Sequence, residues 1–167
     1  IQPINGPGGS SLTFSGVTTT FRKMSSSRQD YWIITPVGWN GETSTPSVLP
    51  LVVFLHGFSA PFANLNTPAG YASWVERIAR QGNVVVFPKY QEGFDLSSSK
   101  WTPNALASLK DALSKPWPSI QASESSMMLV GHSAGCLVAA NLAHSWFLNN
   151  LPLPAAMLLA MPYKDSG

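Results

Sequence analysis

Gly131-His132-Ser133-Ala134-Gly135 has the spacing G-x-S-x-G. A serine hydroxyl is a weak nucleophile until the backbone exposes it and a base takes its proton. A serine at the tip of a sharp strand-to-helix turn is held in a strained backbone conformation. Glycines on either side leave room for the turn and for close packing of helix on strand. The context suits this chemistry: the apolar run Met127–Val130 leads in, and a helical pattern over Ser133–Leu148 leads out. A helix N-terminus at Ser133 would also favour an anion developing there. A second signal is His56-Gly57-Phe58, directly after the apolar run Leu51–Leu55. A tetrahedral intermediate of acyl transfer needs two preorganised donors, and backbone amides require no particular side chain. The expected donors are the amides of Phe58, in the loop after a buried strand, and Ala134, the residue after the nucleophile.

Elements of a particular kind must position these groups. Residues 1–11, rich in Gly, Pro and Ser, read as an arm or loop. Leu12–Met24 alternates as a strand does, Ser25–Arg28 is a turn, and Asp30–Thr35 is a second strand, together an antiparallel hairpin. Val37–Pro50 reads as a loop. Leu51–Leu55 is a continuous apolar run, as expected of a strand buried on both faces of a parallel sheet. Thr67-Pro68 is a helix start, and Tyr71, Trp74, Val75, Ile78 and Ala79 form one apolar helix face, closed by Gly82. Val84–Phe87 is a strand. Thr102-Pro103 starts a second helix, with Leu106, Leu109 and Leu113 on one face and Pro116 at its end. Ala155–Ala160 is a last strand. Repeated strand–helix units imply an α/β fold with a mostly parallel sheet and helices on both faces. No boundary divides residues 1–167, which read as one domain.

Composition excludes other classes. Hydrophobic residues are 44% and charged residues 11%, which argues against a disordered charged tail. The net charge is +2 with Lys and Arg scattered, so nothing suggests nucleic acid as a partner. No apolar run approaches the roughly 18 residues of a membrane span. Low charge with many Ser, Thr, Pro and Gly would suit a secreted or periplasmic protein, the alternative being cytoplasmic. Cys136 is the single cysteine and reads as a buried helix residue. The first residue is Ile, as in a processed mature form. There is no sequon, internal repeat or metal-ligand cluster, and the chemistry needs neither metal nor organic cofactor.

The segments LVVFLHGF, WVERIARQGNVVVFPKYQ and GHSAG, in that order, resemble the α/β-hydrolases. More narrowly they resemble the single-domain group with chlorophyllase-like, dienelactone-hydrolase-like and PET-hydrolase-like (cutinase-type) esterases. The resemblance runs from about residue 12 to residue 161. It implies a serine hydrolase acting on carboxylic esters, small or polymeric. Ser133 would be the nucleophile, with Phe58 and Ala134 as oxyanion donors. Two other readings use the same fold: a non-catalytic binding protein, and an acyltransferase with the same nucleophile.

Such a site needs a histidine and a carboxylate, which in this fold follow the serine in the chain. His132 lies in the elbow and reads as structural. His56 precedes the serine, and its ring is expected to brace the loop. His144 lies eleven residues into the helix, about 16 Å away at 1.5 Å per residue. The base is therefore not among them. Asp165, after the last strand, is a candidate acid; its competing reading is a solvated charge beside Lys164. Asp95, Asp111 and Glu124 fit a loop, a helix face and a connector. Ala155–Ala160 would be sixth of the family's usual eight strands, and a sheet ending there would expose an apolar edge. A second polypeptide of roughly 60–120 residues, from the same precursor, is expected to complete the fold and supply the acid and the His. Phe58, Ser59, Pro61 and Phe62, after the oxyanion turn, and Tyr90, after a strand end, are candidate substrate-binding residues. Trp32, Trp39, Trp74, Trp101, Trp117 and Trp146 read as packing residues.

Overall fold

In the computed structural model, the described residues are 11–14, 16–37, 47–59, 65–95, 97–114 and 120–161. The strands are β1 (Ser11–Phe14), β2 (Val17–Arg22), β3 (Tyr31–Pro36), β4 (Ser47–Leu55), β5 (Val84–Pro88), β6 (Ile120–His132) and β7 (Ala156–Ala160). The helices are α1 (Ala72–Arg80), α2 (Ser98–Ser114) and α3 (Ala134–His144). One sheet has the order β1-β2-β3-β5-β4-β6-β7. β4 pairs parallel with β5 and β6, and β6 parallel with β7; β1, β2 and β3 join antiparallel.

The continuous apolar strands are buried on both faces, as their sequence requires. Leu51, Val53 and Leu55 of β4 point to one side, with Val84 and Val86 of β5 and Leu129 of β6. There they meet Trp101, Ala105 and Leu109 of α2 and Val138, Ala139 and Leu142 of α3. The alternate residues Val52, Phe54, Val85, Phe87 and Val130 point the other way, onto Ala72, Val75 and Ala79 of α1. Each such side chain contributes about 1.5–3 kcal/mol on burial. Phe54 and Phe87 stack with centroids 5.6 Å apart, and Trp32 meets the Phe87 ring edge-on.

Several boundaries differ from the sequence reading. The strand expected over Leu12–Met24 is two strands, broken at Gly16 and folded into a hairpin of its own. β4 begins at Ser47, inside the stretch read as a loop. Its pairing with β6 shifts between Pro50 and Val52, an irregularity that accommodates a residue with no N–H to give the ladder. α2 begins at Ser98 rather than Thr102-Pro103, so Pro103 lies inside it. Burial of Trp101 and its Nε1–H bond to the Asp95 carbonyl hold the first turn ahead of the proline. Helix α3 ends at His144, and a short 3₁₀ turn follows over Phe147–Asn149. The Thr67-Pro68 start opens as a 3₁₀ turn over Pro68–Tyr71 before α1. Trp32, Trp101 and Trp146 are buried and Trp74 packs at the edge of the core. Trp39, Pro116, Trp117, most of the N-terminal arm and the residues after Met161 lie outside the described residues.

β7 differs from its neighbours. Met157, Leu158 and Leu159 are 43%, 43% and 40% exposed, although their side chains alternate between the two faces. No helix among the described residues is long and apolar enough to cross a membrane.

Leu129, at the centre of β6, is fully buried. Leu129→Ala is expected to lower the unfolding free energy by about 2–5 kcal/mol, read as a fall in denaturant midpoint at unchanged slope.

Candidate active site

β6 runs into α3 through Ser133, which has φ 52 and ψ −121. A positive φ at a residue with a β-carbon is strained, and surrounding structure must hold it. Two close approaches do so. A methyl group at Gly135 would lie 2.1 Å from the Leu55 carbonyl oxygen and 2.6 Å from that of His56. A methyl group at Gly131 would lie 2.7 Å from the Gly135 oxygen. The first turn of α3 is thus pressed against the C-terminal end of β4. Ser133 N–H donates to the Ala160 carbonyl at 2.9 Å, tying the turn to the end of β7. Cys136, buried as expected, donates its Sγ–H to the Gly131 and Ala160 carbonyls.

The loop after β4 passes directly over this turn. A methyl group at Gly57 would lie 3.2 Å from Ser133 Cβ. Gly57 N–H donates to the Tyr71 hydroxyl at 2.7 Å, and that hydroxyl lies 2.9 Å from His132 Nδ1. Burial raises the Tyr71 phenol, against a smaller lowering by the Gly57 bond, so it keeps its proton. Donation of that proton to His132 Nδ1 satisfies both groups. Ser59 N–H donates to Gln91 Oε1 at 3.0 Å. Among the described residues, the Phe58 amide finds no acceptor. Nor does the Ala134 amide, the first of α3, as expected where a helix begins. Among the described residues, the two amides expected to stabilise an oxyanion therefore keep their N–H groups without an acceptor.

His56 is fully buried, with its ring stacked on Tyr90 at 4.1 Å and Nδ1 donating to the Gly57 carbonyl at 2.7 Å. Desolvation lowers its pKa to about 4; the Gly57 bond opposes that and Lys89 adds to it. The ring is neutral near pH 7 and braces the loop. His132 is engaged by Tyr71, and His144 lies exposed at the end of α3. None of the three is placed as a base for Ser133.

The other site expectations divide. Tyr90 does not line a pocket: it is 1% exposed, and its hydroxyl donates to the His56 carbonyl. Burial raises its phenol well above the ordinary range, so it stays a donor. Ser59 is likewise buried under the loop, clamped by Gln91, which removes it from a substrate surface. Phe58 is half-buried, its ring 6.3 Å from Trp101. Pro61, Phe62 and Asp165 lie outside the described residues. Asp95 pairs with Arg28 at 2.8 Å, and Asp111 accepts from the Tyr31 hydroxyl at 2.7 Å; Glu124 falls on β6. Tyr71 and Gln91 escaped the sequence reading. Tyr71 counted only as an apolar helix position, and its phenol was the one signal of a polar task. Among the described residues, no three His, Cys, Asp or Glu side chains converge as metal ligands would.

A family model described as alpha/beta hydrolase fold matches residues 52–166. No curated protein sequence matches the chain. Among solved structures, a C6-C4 SN3 inhibited esterase B from Lactobacillus rhamnosis is 19% identical with TM-score 0.64, covering 90% of this chain and 50% of that one. A bacterial heroin esterase is 21% identical with TM-score 0.64, covering 92% and 47%. Carboxyl esterase 2 from the mycorrhizal fungus Tuber melanosporum is 17% identical with TM-score 0.68, covering 89% and 46%. The chain thus spans about half the length of these structures. The likeness is one of fold alone, and it does not test the narrower group that the sequence resembles.

Two outcomes are expected. Tyr71→Phe leaves the Gly57 amide and His132 Nδ1 without their partner and should cost about 1–3 kcal/mol in denaturant unfolding. The His56 pKa is depressed on folding, so below the unfolded value of 6.5 the unfolded chain binds the extra proton. Stability from this group is present above pH 6.5 and is lost as pH falls to about 4, by about 3 kcal/mol in all. His56→Phe, which can keep the ring stack, should flatten that window of the stability–pH curve.

Proposed function

This chain belongs to the alpha/beta hydrolase fold family, and from that premise we propose that it is the nucleophile-bearing part of a carboxylic-ester hydrolase. The observation that carries the proposal is Ser133 at φ 52 between β6 and α3, against a loop whose Phe58 amide has no acceptor among the described residues. The esterases of like fold support esters as the substrate class.

Ser133 Oγ attacks the ester carbonyl while a histidine takes its proton. The carbonyl oxygen becomes an oxyanion, stabilised by the amides of Phe58 and Ala134 and by the positive end of α3. The intermediate collapses to an acyl-enzyme, and the alcohol leaves with the proton from the histidine. Water, deprotonated by the same histidine, attacks the acyl carbon and releases the acid and Ser133. The acid and the histidine come from the rest of the domain, carried on a second polypeptide from the same precursor. Two observations support completion by further residues of the domain: none of His56, His132 and His144 is placed as the base, and β7 leaves an apolar edge that further strands would cover.

Intact mass spectrometry under denaturing conditions, before and after a fluorophosphonate probe, tests this. One adduct on the 17.9 kDa chain, absent in Ser133→Ala, together with a second chain, is the expected result. Ser133→Ala should lower ester turnover on the order of a millionfold. Absence of an adduct on a folded complete protein would refute the serine mechanism. An adduct on a single longer chain would refute only the two-chain arrangement.

A further inference from the structure

Five backbone polar groups of the loop from His56 to Ser59 are engaged by side chains. The His56 carbonyl accepts from the Tyr90 hydroxyl. Gly57 donates to Tyr71, and its carbonyl accepts from His56 Nδ1. Ser59 is paired on both sides by one side chain: its N–H donates to Gln91 Oε1 at 3.0 Å, and its carbonyl accepts from Gln91 Nε2 at 3.1 Å. Between the Tyr71 bond and the Gln91 pair stands the Phe58 amide.

We propose that Gln91 is a positioning residue of the oxyanion site, pinning Ser59 so that the Phe58 N–H faces the carbonyl oxygen of a substrate on Ser133. The inference rests on the ester-hydrolase reading above.

The amide orientation of Gln91 is locked by its partners. The second Nε2 hydrogen donates to the Gly93 carbonyl at 2.6 Å, so both donors are used. A flipped amide would set Oε1 against the carbonyls of Ser59 and Gly93, two acceptors facing a third. Gln91 is 1% exposed, so water cannot substitute for these bonds cheaply. The segment that carries Gln91 is itself anchored. Its carbonyl accepts from Asn66 Nδ2. Lys89 and Glu92 pair at 2.9 Å, Ser27 donates to Glu92, and Arg28 holds Asp95. A peptide plane fixed at both neighbours cannot rotate its N–H away when charge develops, which is what preorganisation requires.

The test uses the complete protein with two variants of matched length. Gln91→Glu keeps an acceptor for Ser59 N–H but sets a carboxylate oxygen against two carbonyls. Gln91→Met keeps the volume and removes all three bonds. End-point titration with a fluorophosphonate counts the competent Ser133 sites. Ester kinetics and the affinity of a boronic acid, which forms a tetrahedral adduct on the serine, are then read per titrated site. The expected result is a kcat about 10–100-fold lower with KM near the wild-type value, and boronate affinity falling in parallel. A smaller titratable fraction with kcat and boronate affinity per site unchanged would mean that Gln91 only supports folding, and would overturn the inference. Should neither variant fold, amide hydrogen exchange in the unsubstituted protein decides. The Phe58 amide should exchange faster than that of Ser59 and become protected when the boronate binds; a Phe58 amide indifferent to the boronate overturns the proposal. A wild-type protein that fails to label at Ser133 removes the hydrolase reading and this inference with it. Labelling with unimpaired Gln91→Glu turnover removes this inference alone.

Discussion

The first turn of α3 is pressed so tightly onto the end of β4 that the position of Gly135 has no room for a β-carbon beside the Leu55 carbonyl. Much of the site's geometry follows from that contact. It brings the β6–α3 turn against the β4 loop, forces Ser133 into a positive φ, and sets the Gly57–Phe58 peptide over the serine. The strain at Ser133 is offset by burial around it: Leu129 and Val130 on the incoming strand, Val138 and Leu142 on the outgoing helix. A less densely packed sheet would let the turn relax and withdraw the hydroxyl into the chain.

The second constraint is desolvation. The loop after β4 is buried, so each polar backbone group must find a partner or cost about 1–3 kcal/mol. The chain supplies those partners from three separate elements: Tyr71 at the start of α1, Tyr90 and Gln91 beyond β5, and His56 in the loop itself. The neutral state of His56 belongs to the same economy of polar groups, since burial desolvates a cation there and Lys89 adds to that cost, with the Gly57 bond opposing them only in part. The backbone of the loop is held by these neighbours, and the Phe58 amide stands out against that background.

The sheet is asymmetric. On one side the hairpins of β1, β2 and β3 continue it; on the other it ends in β7, whose apolar side chains are exposed on both faces. Yet β7 is tied into the candidate site, because its last carbonyl receives the Ser133 amide and the Cys136 thiol. The apolar edge and the strained turn are thus joined by hydrogen bonds at the end of β7.

The amino-acid sequence by itself determined the strand–helix alternation, the double burial of the parallel strands and the sharp turn at Ser133. Those features depend on residues within a few positions of each other: an apolar run, a 3.6-residue period, two glycines around one serine. It did not determine where α2 starts, because burial of Trp101 outweighs a proline two residues later. Nor did it determine that the stretch before Leu51 extends as β4, since that pairing is made with β6, far along the chain. Above all, only the tertiary structure decided the polar roles of Tyr71 and Gln91. Their bonds join groups 14, 61 and 32 residues apart. A tyrosine on an apolar helix face and a glutamine after a strand look ordinary in sequence, because a hydrogen bond is fixed by distance in space, and folding alone sets that distance.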